Sequence, residues 1–303
     1  MSKWQKSPSR RQFLSGSAAA VAGSMSAGAA AAQTPDPLIT QVQDWASYAG
    51  DGVDEVRYGL PIRFEDDVVR RNVPWLTADP ISSINFTPIH ALDGTITPQG
   101  CAFERHHSGA IELRKQDYRL MVNGLVDRPI ILTYADLERL PRVNHVYFCE
   151  CAANTGMEWA GAQLNGAQFT HGMIHNMEYT GVPLRLVLQQ AGLAAAEDLS
   201  NKWVFVEGAD ASSNGRSIPM EKALDDVIVA FKANGEALRK EHGYPVRLVV
   251  PGWEGNLWVR WLRRIEVTDR SVESREETSK YTDVLANGMA RKWTWVMDAK
   301  SVI

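Results

Sequence analysis

The chain reads as an α+β protein. Its strand-like runs are short and numerous, helical periodicity is confined to a few short capped stretches, and the two types do not alternate as a parallel sheet requires. Neither a Gly-x-Gly-x-x-Gly run nor a Walker loop occurs, which argues against a nucleotide cofactor. Along the chain, Tyr118–Val126 has the pattern of a strand and turn ahead of Asp127-Arg128-Pro129. Thr133–Leu140 reads as a short capped helix ended by Pro141. His145–Cys151 is a strand, and Pro183–Gly192 an amphipathic helix with glycine at its end. Lys202–Glu207 is a strand and Met220–Leu224 starts a helix. Val227–Lys232 is a strand running into an Asn234-Gly235 turn. Tyr244–Val250 and Val259–Thr268 complete the set of strands.

The N-terminus is of another kind. Ser9-Arg10-Arg11-Gln12-Phe13-Leu14 leads into an Ala-rich run ending at Ala29–Ala32, the pattern of a twin-arginine export signal over residues 1–32. Gly16, Gly23 and Gly28 make that run a poor membrane span, so no stable span is expected. The signal implies the periplasm and a cofactor inserted before export. It carries four basic residues and no acid. Taking 4 from the 32 basic side chains leaves 28 against 36 acidic, a net charge of −8. That balance offers no field for nucleic acid or anionic lipid, though it suits a basic protein partner. Three cysteines cannot make a disulfide framework, and one kept in an oxidising compartment suggests metal ligation.

Residues 33–85 are polar and weakly periodic and read as an N-terminal arm. Cys151 sits where a β-rich run breaks into Ala152-Ala153-Asn154-Thr155-Gly156, a strand end suited to presenting a thiolate to a soft metal. A buried cysteine is more commonly a small hydrophobe, so the neighbours decide. Polar groups recur near other strand breaks, at Arg105-His106-His107, Asp210, His242 with Arg247, and Trp258-Val259-Arg260.

As an ordered set these carry a resemblance. Phe103–His107, Glu150–Asn154, Ser217-Ile218-Pro219, His242–Gly252 and Val259–Leu262 together resemble the molybdopterin domain of the sulfite oxidase family, over roughly residues 85–270. Within it the likeness is greatest to the molybdenum subunits of Sox-system sulfane dehydrogenases, and Glu277–Asp283 and Lys292–Asp298 add to it. The resemblance implies the family's molybdopterin-binding fold of mixed short strands, with molybdenum and molybdopterin as cofactor. Cys151 would ligate the metal. Phe103, Glu104, Arg105, His106 and His107 fall on a cofactor-contacting segment that points Arg105 into the pocket as a catalytic group. Asp210, His242, Arg247, Trp258, Val259 and Arg260 fall on pterin-binding positions. An anionic phosphate suits the arginines, and a heterocyclic edge suits Asp210 and His242.

The departures are also informative. Thr155 and Gly156 stand where sulfite oxidases have two arginines, and Asn214 stands where they have a tyrosine. Arg105 is then the one remaining positive charge of the substrate pocket, which disfavours free sulfite and suits sulfur held on a carrier protein. The expected domains are the signal 1–32, the arm 33–85, a catalytic domain 86–270, and 271–303 as a linker or the start of a truncated dimerisation domain, without the family's usual β-sandwich. The expected activity is a periplasmic sulfane dehydrogenase passing electrons to a c-type cytochrome subunit, since no Cys-x-x-Cys-His occurs in the chain. The family implies a homodimer or heterotetramer. The alternatives are a sulfite dehydrogenase with a cytochrome acceptor, a cysteine hydrolase built on Cys151 with His106 or His145, and a binding module without metal chemistry.

Overall fold

A computed structural model describes residues 59–299, apart from 78, 80, 194–198 and 293–294. The export signal and the first part of the arm lie outside the described residues. All described residues belong to one unit, Val56–Ile303.

Three short strands come first, β1 (Arg71–Asn72), β2 (Ser83–Phe86) and β3 (Arg105–His106), paired antiparallel in that order. β4 (Arg119–Gly124) follows, with Leu120 and Val122 buried and Arg119 and Met121 outward, the period-2 alternation of a half-buried strand. It forms an antiparallel pair with β5 (Ile130–Thr133). Helix α1 (Tyr134–Glu138) starts at Thr133, whose side chain and that of Asp136 exchange capping-box hydrogen bonds. Next come β6 (Val143–Glu150), α2 (Ala167–His171), β7 (Ile174–Pro183) and α3 (Leu184–Gln190). β8 (Trp203–Gly208), β9 (Gly215–Pro219) and α4 (Met220–Asp225) precede β10 (Ile228–Ala233) and β11 (Glu236–Ala237). β12 (Arg247–Val249), β13 (Leu262–Thr268), α5 (Arg275–Lys280), β14 (Thr282–Val284) and β15 (Ala290–Lys292) close the chain.

Two five-stranded sheets dominate. One has the order β11-β10-β7-β6, with β12 also paired to β10; all of its pairings are antiparallel. The other runs β5-β4-β13-β8-β9, with only β4 and β13 parallel. Their inward residues, with Leu184, Val187 and Leu188 of α3 and Met220 and Ala223 of α4, form one hydrophobic cluster. This mixed arrangement with few helices is the α+β class the sequence predicts.

Three differences from the sequence reading have physical causes. β7 went unread because its inward residues are His175, Met177, Tyr179 and Gly181, so its alternation is one of burial and not of hydrophobicity. β12 is confined to Arg247–Val249, after Gly243 at φ 103° and Pro245, which has no N–H for the ladder. β13 starts at Leu262 because Trp261 takes a left-handed φ of 51° and turns Val259–Arg260 out of the strand.

Candidate active site

The site begins at the end of β6. This strand pairs with β7 along its whole length, Cys149 opposite His175 and Glu150 opposite Ile174. The Cys151 N–H donates to Met173 O at 3.0 Å, and the chain then turns, with Asn154 N donating to Cys151 O at 2.9 Å. Asn154 locks the turn. Its Nδ2 donates to Glu150 Oε1 at 3.0 Å, and its Oδ1 accepts from Met173 N at 3.0 Å. Thr155 follows at φ 66°. The Cys151 thiol opens on a cavity that Arg105, His175, Arg216, His242, Arg247 and Arg260 also line. Burial raises its pKa, while the Ala153 N–H, Arg105 and Arg260 favour the thiolate.

The cavity is cationic. Arg247 donates to Leu248 O at 3.4 Å, His242 O at 3.2 Å and Trp258 O at 3.2 Å. Arg105 Nη1 donates to Ser83 O at 3.2 Å and His106 O at 2.8 Å. Arg260 donates to Arg105 O. Neutral carbonyls accept the hydrogen bonds of these guanidinium groups, and Asp210 and Glu276, which act on Arg260 and Arg105, are not among the residues lining the cavity, so an anion is favoured there. Burial first, and then the nearby Arg247, push Arg260 down to about 10, with Asp210 opposing. His242 Nε2 lies 3.2 Å from Ala102 O, and His175 Nε2 lies 2.9 Å from Tyr179 Oη. The Nδ1 atoms of both histidines are buried and have no hydrogen-bond partner, although both rings line the cavity. Burial lowers both pKa values, His242 to about 3, so both rings are neutral.

The remaining expected residues divide by strand alternation. Phe103, Arg105 and His107 line the cavity. Glu104 and His106 face the other way, where Glu104 accepts from Asn85 Nδ2 at 2.8 Å and lies 3.3 Å from His106 Nε2 and 3.7 Å from Arg70. Although burial raises the Glu104 pKa, His106 and Arg70 hold it at about 2. Asp210 is buried, accepts from Ser212 Oγ and stands beside Arg260 without lining the cavity. Trp258 lines it, with Nε1 donating to Trp253 O at 3.0 Å. Val259 is a core residue whose carbonyl accepts from Leu248 N at 2.7 Å.

Sequence reasoning missed several lining residues: Cys149, His175, Arg216, Gly255, Asn256 and Tyr281. Arg216 adds to the cavity lining a cation that the sequence reading did not count. The Ser217-Ile218-Pro219 motif was the available signal, one residue downstream. Gly255 is demanded by space, since a Cβ there would lie 2.7 Å from Glu150 O and 3.2 Å from Cys149 Sγ.

Residues 107–276 match the family described as the oxidoreductase molybdopterin binding domain. The chain belongs to that family. It is 33% identical over 229 residues to the mitochondrial sulfite oxidase of Mus musculus, spanning 72% of this chain and 40% of that one. It is 35% identical over 193 residues to the NADH nitrate reductase of Volvox carteri, across 60% of this chain and 22% of that one. The chain therefore spans well under half the length of these curated relatives. Among solved structures it is similar to the sulfane dehydrogenase SoxCD of Paracoccus pantotrophus, at 69% identity and a TM-score of 0.81, covering 89% of this chain and 69% of that one.

The family's molybdopterin cofactor fits the cavity on its own terms. The arginines suit its phosphate, and the two partnerless Nδ1 atoms suit a heterocyclic edge. Among the described residues, no three His, Cys, Asp or Glu side chains gather to hold a metal ion unaided.

Proposed function

We propose that this chain is the periplasmic molybdenum subunit of a sulfane dehydrogenase, oxidising sulfur bound to a carrier protein and passing electrons to a c-type cytochrome. The observation that carries the reading is the Cys151 thiol, at the end of a strand, facing a cavity that Arg105, Arg216, Arg247 and Arg260 line. The likeness to the Paracoccus sulfane dehydrogenase supports the substrate class, and the twin-arginine motif at Arg10-Arg11 supports export.

In this reading Cys151 ligates molybdenum, and Asn154 fixes the turn that aims it. Arg247, Arg260, His242 and His175 hold the pterin. When bound, the cofactor supplies two-electron redox chemistry at sulfur; positioning and electrostatics are left to the protein. Arg105 orients the anionic end of the substrate. Each turnover adds one water oxygen to sulfur and releases two protons and two electrons, which leave one at a time to the cytochrome.

The test is molybdenum and pterin content of chain made in a host that synthesises the cofactor. About one molybdenum per chain, lost in Cys151→Ala, is the expected result; a folded chain without molybdenum overturns the reading. Arg216 favours a second reading, a sulfite dehydrogenase, because it restores positive charge that a small dianion needs. Steady-state turnover of free sulfite separates the two.

A further inference from the structure

The geometry points to Arg216 as a second substrate-binding cation of this pocket, in addition to Arg105, with Tyr281 as its positioning residue, so that the pocket grips a sulfur oxyanion with two guanidinium groups. This deepens the proposed function and rests on it. Arg216 is carried on β9 and is 4% exposed, yet it lines the same cavity as Cys151. Its Nε donates to Asn256 Oδ1 at 3.0 Å and its Nη1 to Gly215 O at 2.7 Å. Both acceptors are neutral, so they aim the guanidinium and leave its charge in place. Asn256 is itself fixed, donating to Glu254 Oε2 at 2.6 Å.

Tyr281 completes the arrangement from beyond the family-matched segment, which ends at residue 276. The Arg216 Cζ lies 4.9 Å from the centroid of the Tyr281 ring, a cation–π stack. Tyr281, Arg105, Arg216 and Cys151 all line the same cavity. The segment that brings Tyr281 here is anchored to β9. Glu277 is buried at the start of α5 and accepts from Ser217 N at 2.8 Å and Ser217 Oγ at 3.2 Å. Ser274 Oγ donates to Gly215 O at 2.8 Å, and Thr282 Oγ1 to Glu277 O at 2.8 Å. These bonds bracket Arg216 on both sides, so the aromatic ring has a fixed seat over it.

The ligand class follows from the charges. Two guanidinium groups, fixed before substrate arrives, match an oxyanion with several acceptor oxygens. Free sulfite and the S-sulfonate formed on oxidising a carrier-bound sulfur share that chemistry.

The experiment is isothermal titration of inorganic sulfate, and separately of S-sulfocysteine, into molybdenum-loaded full-length chain at fixed ionic strength. Molybdenum content is measured on every variant. Arg216→Ala is expected to weaken binding about tenfold or more, with molybdenum content unchanged. Arg216→Lys recovers part of it. Tyr281→Ala weakens binding about threefold to tenfold and Tyr281→Phe recovers part of it, because phenylalanine keeps the stack and loses only the hydroxyl hydrogen-bonded to Arg216. Wild-type affinity in loaded Arg216→Ala overturns the inference, as does failure of the loaded wild type to bind either anion. If Arg216→Ala does not fold, the Tyr281 pair decides, since equal affinity in both variants and wild type overturns it. Absence of molybdenum from the wild type is a separate outcome that removes the underlying reading as well. Tighter binding of S-sulfocysteine than sulfate assigns the grip to carrier-bound substrate, and the reverse order to free sulfite.

Discussion

The two halves of the pocket are built by different means. In the inner half, Arg247 is fixed by backbone carbonyls of β12 and the turns near it, and His242 lies against the backbone carbonyl of Ala102, from a distant turn. In the outer half, Arg216 is fixed partly by side chains, Asn256 and Tyr281, drawn from distant segments. Backbone acceptors cannot be exchanged by point mutation, whereas side-chain acceptors can. On the proposed function, the inner half is thus bound to one kind of ligand, while substitutions in the outer half alter substrate binding without unfolding the domain.

The largest effect tests the inner half. Cys151→Ser should reduce turnover to the assay floor while far-ultraviolet circular dichroism stays that of wild type; appreciable activity would break the assignment of the inner half to a metal cofactor. Arg247→Met should follow. It strands the carbonyls of His242, Leu248 and Trp258, each left without its donor at a cost of about 1–3 kcal/mol if it stays buried. Urea unfolding should report the loss, and molybdenum occupancy should fall with it.

Glu277→Ala tests the outer half. It removes the acceptor of the buried Ser217 N–H and should cost about 1–3 kcal/mol, yet molybdenum content should stay at the wild-type level. Loss of molybdenum in this variant would show that the halves are not separable. The smallest effect sharpens the comparison through pH. His242 is neutral in the fold with a pKa near 3 against 6.5 ordinarily, so the unfolded chain takes up the extra proton. Stability contributed by the neutral ring is complete above about pH 6.5 and is lost as pH falls toward 3. Glu104, held at about 2 against 4.5, adds a further loss below about pH 4.5. Thermal midpoints measured from pH 7.5 to 4 should fall continuously, and Glu104→Gln should flatten only the acid end.

The same division explains what the sequence disclosed. Cys151, His242, Arg247, Trp258 and Arg260 lie in contiguous motifs whose residues stay near one another in the fold, and each lines the cavity. The capping box of α1 and the Asn234-Gly235 turn, with φ of 50° and 75°, were readable because both are local chemistry. Tyr281 and Arg216 were not, because they meet only after β9, β13 and α5 have packed. His175 escaped notice because a polar residue on the inward face of a strand defeats the hydrophobic pattern. Asp210 and Val259 lie in the right neighbourhood, one beside Arg260 and the other in the core, although neither lines the cavity.

The alternation of Phe103, Arg105 and His107 toward the cavity, with Glu104 and His106 turned away, bears on how this segment can diverge among descendants. Point substitutions at 104 and 106 alter a largely buried salt-bridged cluster and leave the cavity lining in place. A single-codon insertion or deletion ahead of Phe103 would instead exchange the two faces, turning a carboxylate toward the thiol and an arginine outward. Drift by substitution is open to this stretch, and drift in length is closed.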